Sequence, residues 1–273
     1  MSNTQVRIMS ALVLMIMVYG LYLLGSDVAT AATLFVGILL IDEINVNFIK
    51  LERKSFFYLC NQLILIIPFI LLLYFFQVEL LLNTFLYFAM VLNIILLGYL
   101  FYADIKSASF KDLLRKKYYI SSIYFLSMFL VLGILLSHEK WSQLISVLFC
   151  ISFGMDTGAW FFGKNFGKHK LWPSVSPKKT VEGLIGGSIT AAILGGIVWN
   201  IFFNSMGVFI FFSFCILGIM SQLGDLIQSK IKRQFSLKDS SSIIPGHGGI
   251  YDRIDGLIFL APFYMSILKN FYF

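Results

Sequence analysis

Long apolar runs alternate with short polar segments along the whole of this 273-residue chain. A helix of about 20 apolar residues crosses the hydrocarbon core of a bilayer, and each run approaches or exceeds that length. The runs do not alternate apolar and polar residues in the way that strands of a membrane β-barrel do. The pattern predicts about nine membrane-spanning helices, at residues 8–24, 28–49, 56–76, 79–102, 119–137, 142–163, 182–203, 207–228 and 256–271.

The composition agrees with this architecture. Hydrophobic residues make up 59% of the chain and charged residues 13%, which leaves too little polar surface for a water-soluble globule. We therefore expect an all-α fold, a polytopic helical bundle that forms one continuous membrane domain. Within it, residues 1–118 supply N-terminal transmembrane helices, and residues 119–273 form the region with the candidate chemistry.

The basic residues predict how the bundle is oriented. All but two of the 21 Lys and Arg residues lie near the N-terminus or within 50–55, 103–118, 164–181 and 229–255. These segments share one side of the membrane if the nine spans are correct. The positive-inside rule then places the N-terminus and these segments in the cytoplasm. We interpret the net charge of +7 mainly as a sign of this topology. The same charge would also attract the protein surface to an anionic leaflet.

Acidic residues interrupt the second predicted span. Asp42 and Glu43 lie about two turns from its basic end. Such carboxylates can reach the interface, pair with Lys50 or Arg53, or face the interior of the bundle, and the sequence leaves these alternatives open.

A polar stripe runs along the predicted span 207–228 and continues beyond it. Its residues recur one, three or four positions apart and so share one helix face. They are Ser221, Gln222, Asp225, Gln228, Ser229 and Lys232. Because lipid would not tolerate such a face, we expect it to point into the protein.

The preceding span has a ridge of small residues. Gly183, Gly187, Ala191 and Gly195 recur at intervals of four, so they lie along one helix face. A ridge of this kind lets another helix approach closely, and we interpret it as a packing surface.

Two upstream segments add polar groups. Asp156 lies within an apolar helix, where a functional carboxylate and a hydrogen-bonded structural one are about equally expected. Lys178, Lys179 and Thr180 precede a helix N-terminus, whose free N–H groups favour an anion. That second segment could equally be a basic cytoplasmic loop without a binding role.

The stretch between Ser229 and Asp255 is rich in bases, carboxylates and glycines. Bases bind phosphate oxygens, carboxylates hold divalent metals, and glycines let backbone N–H groups approach a ligand. The residues concerned are Lys232, Arg233, Lys238, Asp239, His247, Gly248, Gly249, Asp252, Arg253 and Asp255. The stretch therefore predicts a polyphosphate and metal site beside the membrane, which indicates a lipid substrate.

The same stretch resembles the signature of the phosphatidate cytidylyltransferases. The matching pattern is Ser229-x-x-Lys232-Arg233, then Lys238-Asp239, then Pro245-x-His247-Gly248-Gly249-x-x-Asp252-Arg253-x-Asp255. The segments around Asp156 and around Lys178-Lys179-Thr180 also resemble upstream motifs of that family. Trp160 and Val181 depart from its common pattern, beside the polar residues.

The resemblance implies a nucleotidyltransferase that takes CTP and phosphatidic acid and makes CDP-diacylglycerol and pyrophosphate. It implies Mg²⁺ as cofactor, with a possible second cation, held by Asp225, Asp252 and Asp156. Asp225, Asp252, Lys232 and Lys238 are the expected catalytic residues. The expected substrate-binding residues are Asp156, Lys178, Lys179, Thr180, Ser229, Arg233, Asp239, His247, Gly248, Gly249, Arg253 and Asp255. His247 is expected to shape the turn or bind a phosphate.

Other functions stay open at this point. A CTP-dependent kinase of a lipid alcohol would need a base for its hydroxyl nucleophile and would release CDP. A transporter would show paired broken spans in both halves of the chain. We expect the lipid bilayer and no nucleic acid as partners, since the chain has no soluble basic face with aromatic residues. A homodimer is possible, and a bacterial inner membrane with the active site facing the cytoplasm is the expected location.

Overall fold

The computed structural model describes residues 3–76, 79–104, 109–204 and 207–272. Part of the basic segment 103–118 therefore lies outside the described residues. The helices of the described chain are α1 (Asn3–Leu24), α2 (Ser26–Glu43), α3 (Phe56–Ile70), α4 (Glu79–Tyr102), α5 (Ser109–Lys116), α6 (Tyr119–Leu136), α7 (Trp141–Phe166), α8 (Val181–Phe203), α9 (Val208–Gln234) and α10 (Tyr251–Phe271). Two of them, α2 and α3, continue as π-helical turns over Ile44–Ile49 and Leu71–Phe76.

Nine helices within the described ranges are long and apolar enough to cross a membrane, all of those above except α5. The prediction of an all-α, polytopic membrane protein is thereby confirmed, and each predicted span corresponds to one helix. The cytoplasmic position of the N-terminus stays a prediction.

The helices α9 and α10 are longer than predicted. The span predicted at 207–228 extends to Gln234, and the span predicted at 256–271 begins at Tyr251. No Gly or Pro interrupts the chain between Asp225 and Gln234, and the bases Lys232 and Arg233 in the last turn favour the negative end of the helix dipole. These bases therefore belong to a helix rather than to a loop.

Two small elements were not predicted. The segment 103–118 contains the short helix α5, and the segment 164–181 contains an antiparallel hairpin of β1 (Lys170–Trp172) and β2 (Ser176–Thr180). Val175 in the turn is 1% exposed. Its N–H donates to Trp172 O at 3.2 Å. Burial of this side chain stabilises a hairpin that is too short to produce a sequence pattern.

The described residues group into two compact units. The first unit contains those within 1–92, 106–139 and 234–254, and the second those within 93–105, 140–233 and 255–273. The sequence analysis divided the chain after residue 118, into N-terminal helices and a region with the candidate chemistry. That division stays a prediction. The two units are described separately below.

In the first unit, α2, α3 and α6 pack around small residues. A Cβ added at Gly37 of α2 would lie 3.0 Å from Leu65 of α3 and 3.4 Å from Phe129 of α6. The helix α1 has a different environment, because every side chain from Ala11 to Tyr19 is exposed. Lipid would surround this part of α1 in a membrane.

In the second unit, the predicted ridge of small residues packs α8 against α7. A Cβ added at Gly183 would lie 2.8 Å from Ala159 O, and one at Gly187 would lie 2.8 Å from Met155 O. A Cβ at Gly195 would lie 2.7 Å from Ile151. The packing role predicted for the ridge is therefore confirmed.

Candidate functional site

The chain between α9 and α10 contains a loop that we call the motif loop, residues 238–250. Ile244 N donates to Gly248 O at 2.9 Å, and His247 N donates to Ile244 O at 2.9 Å. Gly246 and Gly248 have φ values of +74° and +85°. This left-handed backbone conformation favours glycine, so the two glycines allow the tight turn.

Glu43 of α2 holds the end of the motif loop within the first unit. Its side chain is 1% exposed. Oε2 accepts hydrogen bonds from Ser241 Oγ at 2.8 Å and Ile250 N at 2.9 Å, and Oε1 accepts one from Tyr251 N at 3.2 Å. A Cβ at Gly249 would overlap the Glu43 carboxylate, so a glycine is required at that position.

Asp252 of α10 holds the same loop through one oxygen. Oδ2 accepts hydrogen bonds from Ser240 N at 2.8 Å, Ser240 Oγ at 2.9 Å and Gly249 N at 2.9 Å. A Cβ at Gly248 would lie 2.6 Å from this oxygen. The predicted metal ligand is thus also a structural anchor. A carboxylate has acceptor sites on both oxygens, so anchoring through Oδ2 is compatible with binding a cation.

A cavity of about 680 Å³ lies beside the motif loop. Its lining includes several of the predicted substrate-binding residues and also Arg7 of α1. The charged and titratable residues of the lining are Arg7, Lys238, Asp239, His247 and Arg253. Three full positive charges thus face one carboxylate, an arrangement that favours an anionic ligand.

The turn at His247 is fixed by polar contacts on both of its sides. Arg253 donates to His247 O from Nε at 3.0 Å and from a terminal nitrogen at 2.8 Å. Ser10 Oγ lies 2.6 Å from His247 Nδ1. Burial lowers the pKa of His247 below its usual value, and the positive charges of Arg253 and Arg7 lower it further. The side chain is therefore mainly neutral at pH 7, which suits the predicted role in shaping the turn.

The second unit contains a separate polar cluster on α9. Lys179 Nζ of β2 lies 2.6 Å from Asp225 Oδ2, and Ser229 Oγ donates to Asp225 Oδ1 at 3.2 Å. Lys179 also donates to Gln222 O at 3.4 Å. Lys232, two helical turns further along α9, interacts electrostatically with Asp225. The predicted polar stripe therefore meets a cation of the hairpin within this unit.

Asp255 of α10 belongs to the same cluster. It interacts electrostatically with Asp225, Lys179 and Asp156. Its Oδ1 accepts a hydrogen bond from Gly256 N at 2.8 Å. A Cβ at Gly224 of α9 would lie 2.9 Å from Asp255 O, so the backbones of α9 and α10 are close at this level.

The hairpin positions further predicted residues at the start of α8. Thr180 is the N-cap, and its hydroxyl accepts a hydrogen bond from Gly183 N at 3.1 Å. Lys178 is exposed on β2, whereas Lys179 is partly buried. His169 Nδ1 lies 2.6 Å from Glu182 Oε1, which ties the chain before the hairpin to the first turn of α8.

The remaining predicted residues of the second unit lie at its surface. Arg233 is exposed in the last turn of α9, and Asp156 is exposed on α7. Neither the structural nor the functional interpretation of Asp156 is tested by this position. Both interpretations stay predictions.

Sequence reasoning missed Lys230, which lies in the unassigned part of the Ser229-x-x-Lys232 motif. Its side chain is 2% exposed. Nζ donates to the carbonyl oxygens of Tyr99, Leu100 and Ala103 at 2.9, 2.8 and 2.5 Å. Lys230 thus binds backbone carbonyls at the C-terminal end of α4, where a helix leaves carbonyl groups without intrahelical donors. Lys230 lies two residues before Lys232, on the helix face opposite the polar stripe. A lysine on that otherwise apolar face was the signal that the sequence offered.

Glu43 and Arg7 were also missed as parts of a site. Asp42 forms the ion pair with Arg53 that was one open alternative, at 2.9 Å, whereas Glu43 faces the interior. Two adjacent carboxylates in an apolar run were the signal for Glu43. Arg7 was interpreted through its charge alone, because its partner Gly246 is 239 residues away.

The carboxylates present are suitable ligands for the predicted magnesium ion. Mg²⁺ is usually held by one or two carboxylates together with water and substrate phosphates. Asp225 supplies such a carboxylate, and 34% of its side chain is exposed. Among the described residues no group of three or more His, Cys, Asp or Glu is arranged as a metal cage. The joint site of Asp225, Asp252 and Asp156 stays a prediction, since Asp252 belongs to the first unit.

Comparison with known proteins gives a consistent result. The model of the cytidylyltransferase family matches residues 5–271. The phosphatidate cytidylyltransferase of Staphylococcus aureus (strain COL) is 49% identical over 116 residues, which are 42% of this chain and 44% of that protein. The phosphatidate cytidylyltransferase of Bacillus subtilis (strain 168) is 44% identical over 117 residues, again 42% of this chain and 44% of that protein. The matched stretch thus spans less than half the length of these relatives.

Proposed function

Because the chain belongs to the cytidylyltransferase family, we propose that it transfers the cytidylyl group of CTP to phosphatidic acid and releases pyrophosphate. The product would be CDP-diacylglycerol, a precursor of membrane phospholipids. The names of the similar proteins from Staphylococcus aureus and Bacillus subtilis support this substrate pair. The observation that carries the proposal is the cationic cavity, in which residues of the motif loop meet Arg7 and Arg253.

The chemistry of the two substrates explains why such a cavity is useful. A phosphomonoester has a second pKa near 6, so the phosphate of phosphatidic acid is already an ionised nucleophile at pH 7. The main obstacles are repulsion between two polyanions and the charge that develops on the leaving pyrophosphate. Fixed cations such as Lys238 and Arg253 lower both barriers by electrostatic stabilisation.

The cluster on α9 would serve the same reaction. Lys179 and Lys232 supply positive charge beside Asp225, and Ser229 fixes one carboxylate oxygen. We propose that Asp225 helps to hold Mg²⁺, which when bound would neutralise phosphate charge. Lys179 would then be released from its ion pair with Asp225 and could bind a phosphate oxygen.

A single assay tests the reaction. Purified protein in detergent is incubated with CTP labelled in the α-phosphate, phosphatidic acid and Mg²⁺. We expect a labelled lipid and one pyrophosphate for each lipid formed. In a parallel reaction with diacylglycerol in place of phosphatidic acid, release of labelled CDP together with an unlabelled phospholipid would indicate the lipid-alcohol kinase instead. After reconstitution of the protein into lipid vesicles, uptake of unmodified substrate without either product would indicate a transporter.

The metal requirement is tested with the same preparation. Removal of divalent cations with EDTA should abolish formation of the labelled lipid, and added Mg²⁺ should restore it. Full activity in excess EDTA would contradict the magnesium proposal while leaving the transfer reaction intact.

We further propose that the motif loop faces the cytoplasm of a bacterial cell, as the distribution of basic residues predicts. Ser242 is exposed in this loop and lines the cavity. The variant S242C should react with a membrane-impermeant maleimide in inside-out vesicles and stay unlabelled in intact cells. Wild-type protein is the matched control, because it contains three cysteines of its own. Labelling in intact cells would reverse the proposed orientation.

A further inference from the structure

The first helix contacts the motif loop through two polar side chains. Arg7 Nε donates to Gly246 O at 3.0 Å, and Ser10 Oγ lies 2.6 Å from His247 Nδ1. Further along α1, every side chain from Ala11 to Tyr19 is exposed. Apolar packing along this stretch therefore does not determine where the start of α1 lies. The hydrogen bonds of Arg7 and Ser10 tie the start of α1 to the motif loop.

The motif loop is shaped to receive α1. A Cβ at Gly246 would lie 3.0 Å from Arg7 Cγ and 3.5 Å from Arg7 N. The φ value of +74° at Gly246 independently favours glycine. The absence of a side chain at this position thus serves both the turn and the close approach of the helix.

Arg7 adds a cation to the cavity rather than only a contact to the loop. It lines the cavity with Lys238 and Arg253, and Asp239 is the carboxylate of the lining. Arginine has five N–H donors, so a bond from Nε to Gly246 O is compatible with phosphate binding by the terminal nitrogens. Arg253 is used in a similar way, since it donates to His247 O while lining the same cavity.

We propose that Arg7 and Ser10 make α1 part of the phosphate-binding site: Arg7 binds a doubly charged phosphate group of a substrate, and Ser10 positions His247. This inference rests on the proposed function for the identity of the substrates. The phosphate group belongs to either the triphosphate of CTP or the headgroup of phosphatidic acid, which share this chemistry. Arg7 is a binding residue in this scheme, and Ser10 is a positioning residue.

The test separates the charge of Arg7 from its contact with the loop. R7Q keeps N–H donors for the Gly246 carbonyl but removes the charge, whereas R7K keeps the charge. K54Q is the matched control, because Lys54 is an exposed cation of the same unit outside the cavity lining. The value of KM for CTP and for phosphatidic acid is measured separately, together with kcat and the unfolding temperature in detergent.

We expect R7Q to raise KM for one of the two substrates about tenfold, the usual size for loss of one charge-assisted hydrogen bond, with little change in kcat. R7K should lie between R7Q and wild type, and K54Q should equal wild type. The substrate whose KM rises identifies the source of the phosphate. An unchanged KM for both substrates in R7Q, or an equal rise in K54Q, would overturn the inference.

A matched pair of variants tests the role of Ser10. S10A removes the hydroxyl that contacts His247, and S10T retains it. We expect S10A to raise the same KM by a smaller factor than R7Q does, and S10T to restore it. Equal KM values for S10A and wild type would remove Ser10 from the site.

A binding measurement distinguishes failure of this inference from failure of the proposed function. Calorimetry with inorganic pyrophosphate and Mg²⁺ needs no turnover. Weaker binding to R7Q than to K54Q would support the inference even if wild-type protein formed no CDP-diacylglycerol. Active wild-type protein whose pyrophosphate affinity and KM values are unaffected by R7Q would leave the function standing and refute the inference.

Discussion

The carboxylates of the two units have different surroundings. In the first unit, Glu43 and Asp252 each accept three hydrogen bonds from hydroxyl and backbone N–H groups near the motif loop. In the second unit, Asp225 forms an ion pair with Lys179 and accepts a hydrogen bond from one hydroxyl, with 34% of its side chain exposed. Fixed N–H donors make a carboxylate a structural anchor. A lysine partner can be exchanged for a metal ion.

The lysines of the second unit show the same contrast. Lys230 donates to three backbone carbonyls at the end of α4, where its charge replaces the missing helix donors. Lys179 instead pairs with a side chain at 2.6 Å. Two buried or partly buried lysines near one helix can therefore have unrelated roles, one in the fold and one in the candidate site.

The largest expected effect is that of D225N. The substitution keeps the shape of the side chain and removes its charge, so turnover should fall by at least about 10²–10³-fold, as when one electrostatic contact of an active site is lost. The unfolding temperature should change little. E52Q is the control, because Glu52 is an exposed carboxylate outside the cavity lining. Wild-type turnover by D225N at saturating Mg²⁺ would remove Asp225 from the metal site.

E43Q tests the structural role of the anchors. One oxygen that accepts hydrogen bonds is replaced by an amide group that cannot accept them, which should lower the free energy of unfolding by about 1–3 kcal/mol. The unfolding temperature and kcat/KM should fall together, and E52Q is again the control. Loss of turnover at an unchanged unfolding temperature would show that Glu43 acts in the chemistry instead.

K230M tests whether a buried lysine can be purely structural. The variant removes the Nζ donor from three carbonyls at the end of α4, at a cost of about 1–3 kcal/mol in unfolding free energy. Both KM values should stay close to wild type in the folded fraction. K116M, at an exposed position of α5, should not change the unfolding temperature. A large change in KM without destabilisation would place Lys230 in the site.

The smallest expected effect concerns pH. Because burial and then Arg253 and Arg7 lower the pKa of His247, the unfolded chain binds a proton that the folded chain resists. Stability from this residue is therefore complete above the unfolded value of about 6.5 and declines as the pH falls from there toward the lowered folded pKa. The unfolding temperature of wild type should fall more steeply than that of H247Q in this window. Parallel curves would contradict the assignment.

The sequence predicted those features that repeat along the chain. Apolar runs indicated the spans, and the four-residue spacing from Gly183 to Gly195 indicated the packing of α8. The sequence also showed that bases and glycines cluster in the motif loop. The sequence could not show that Asp252 accepts hydrogen bonds from the motif loop whereas Asp225 pairs with Lys179, because the two are the same residue type. The roles of Glu43, Arg7 and Lys230 depend on partners more than 120 residues away, which no local pattern reports.

The anchoring of Glu43 has a consequence for how the protein is made. Its partners are 198 to 208 residues further along the chain. Ribosomes add about 5–20 residues per second, so Tyr251 is synthesised roughly 10–40 s after Glu43. Since an unpaired carboxylate in lipid is costly, protonation, water or an assisting insertase must shield it during that interval. Substitutions in the late motif loop should therefore impair membrane assembly of a helix that was completed long before.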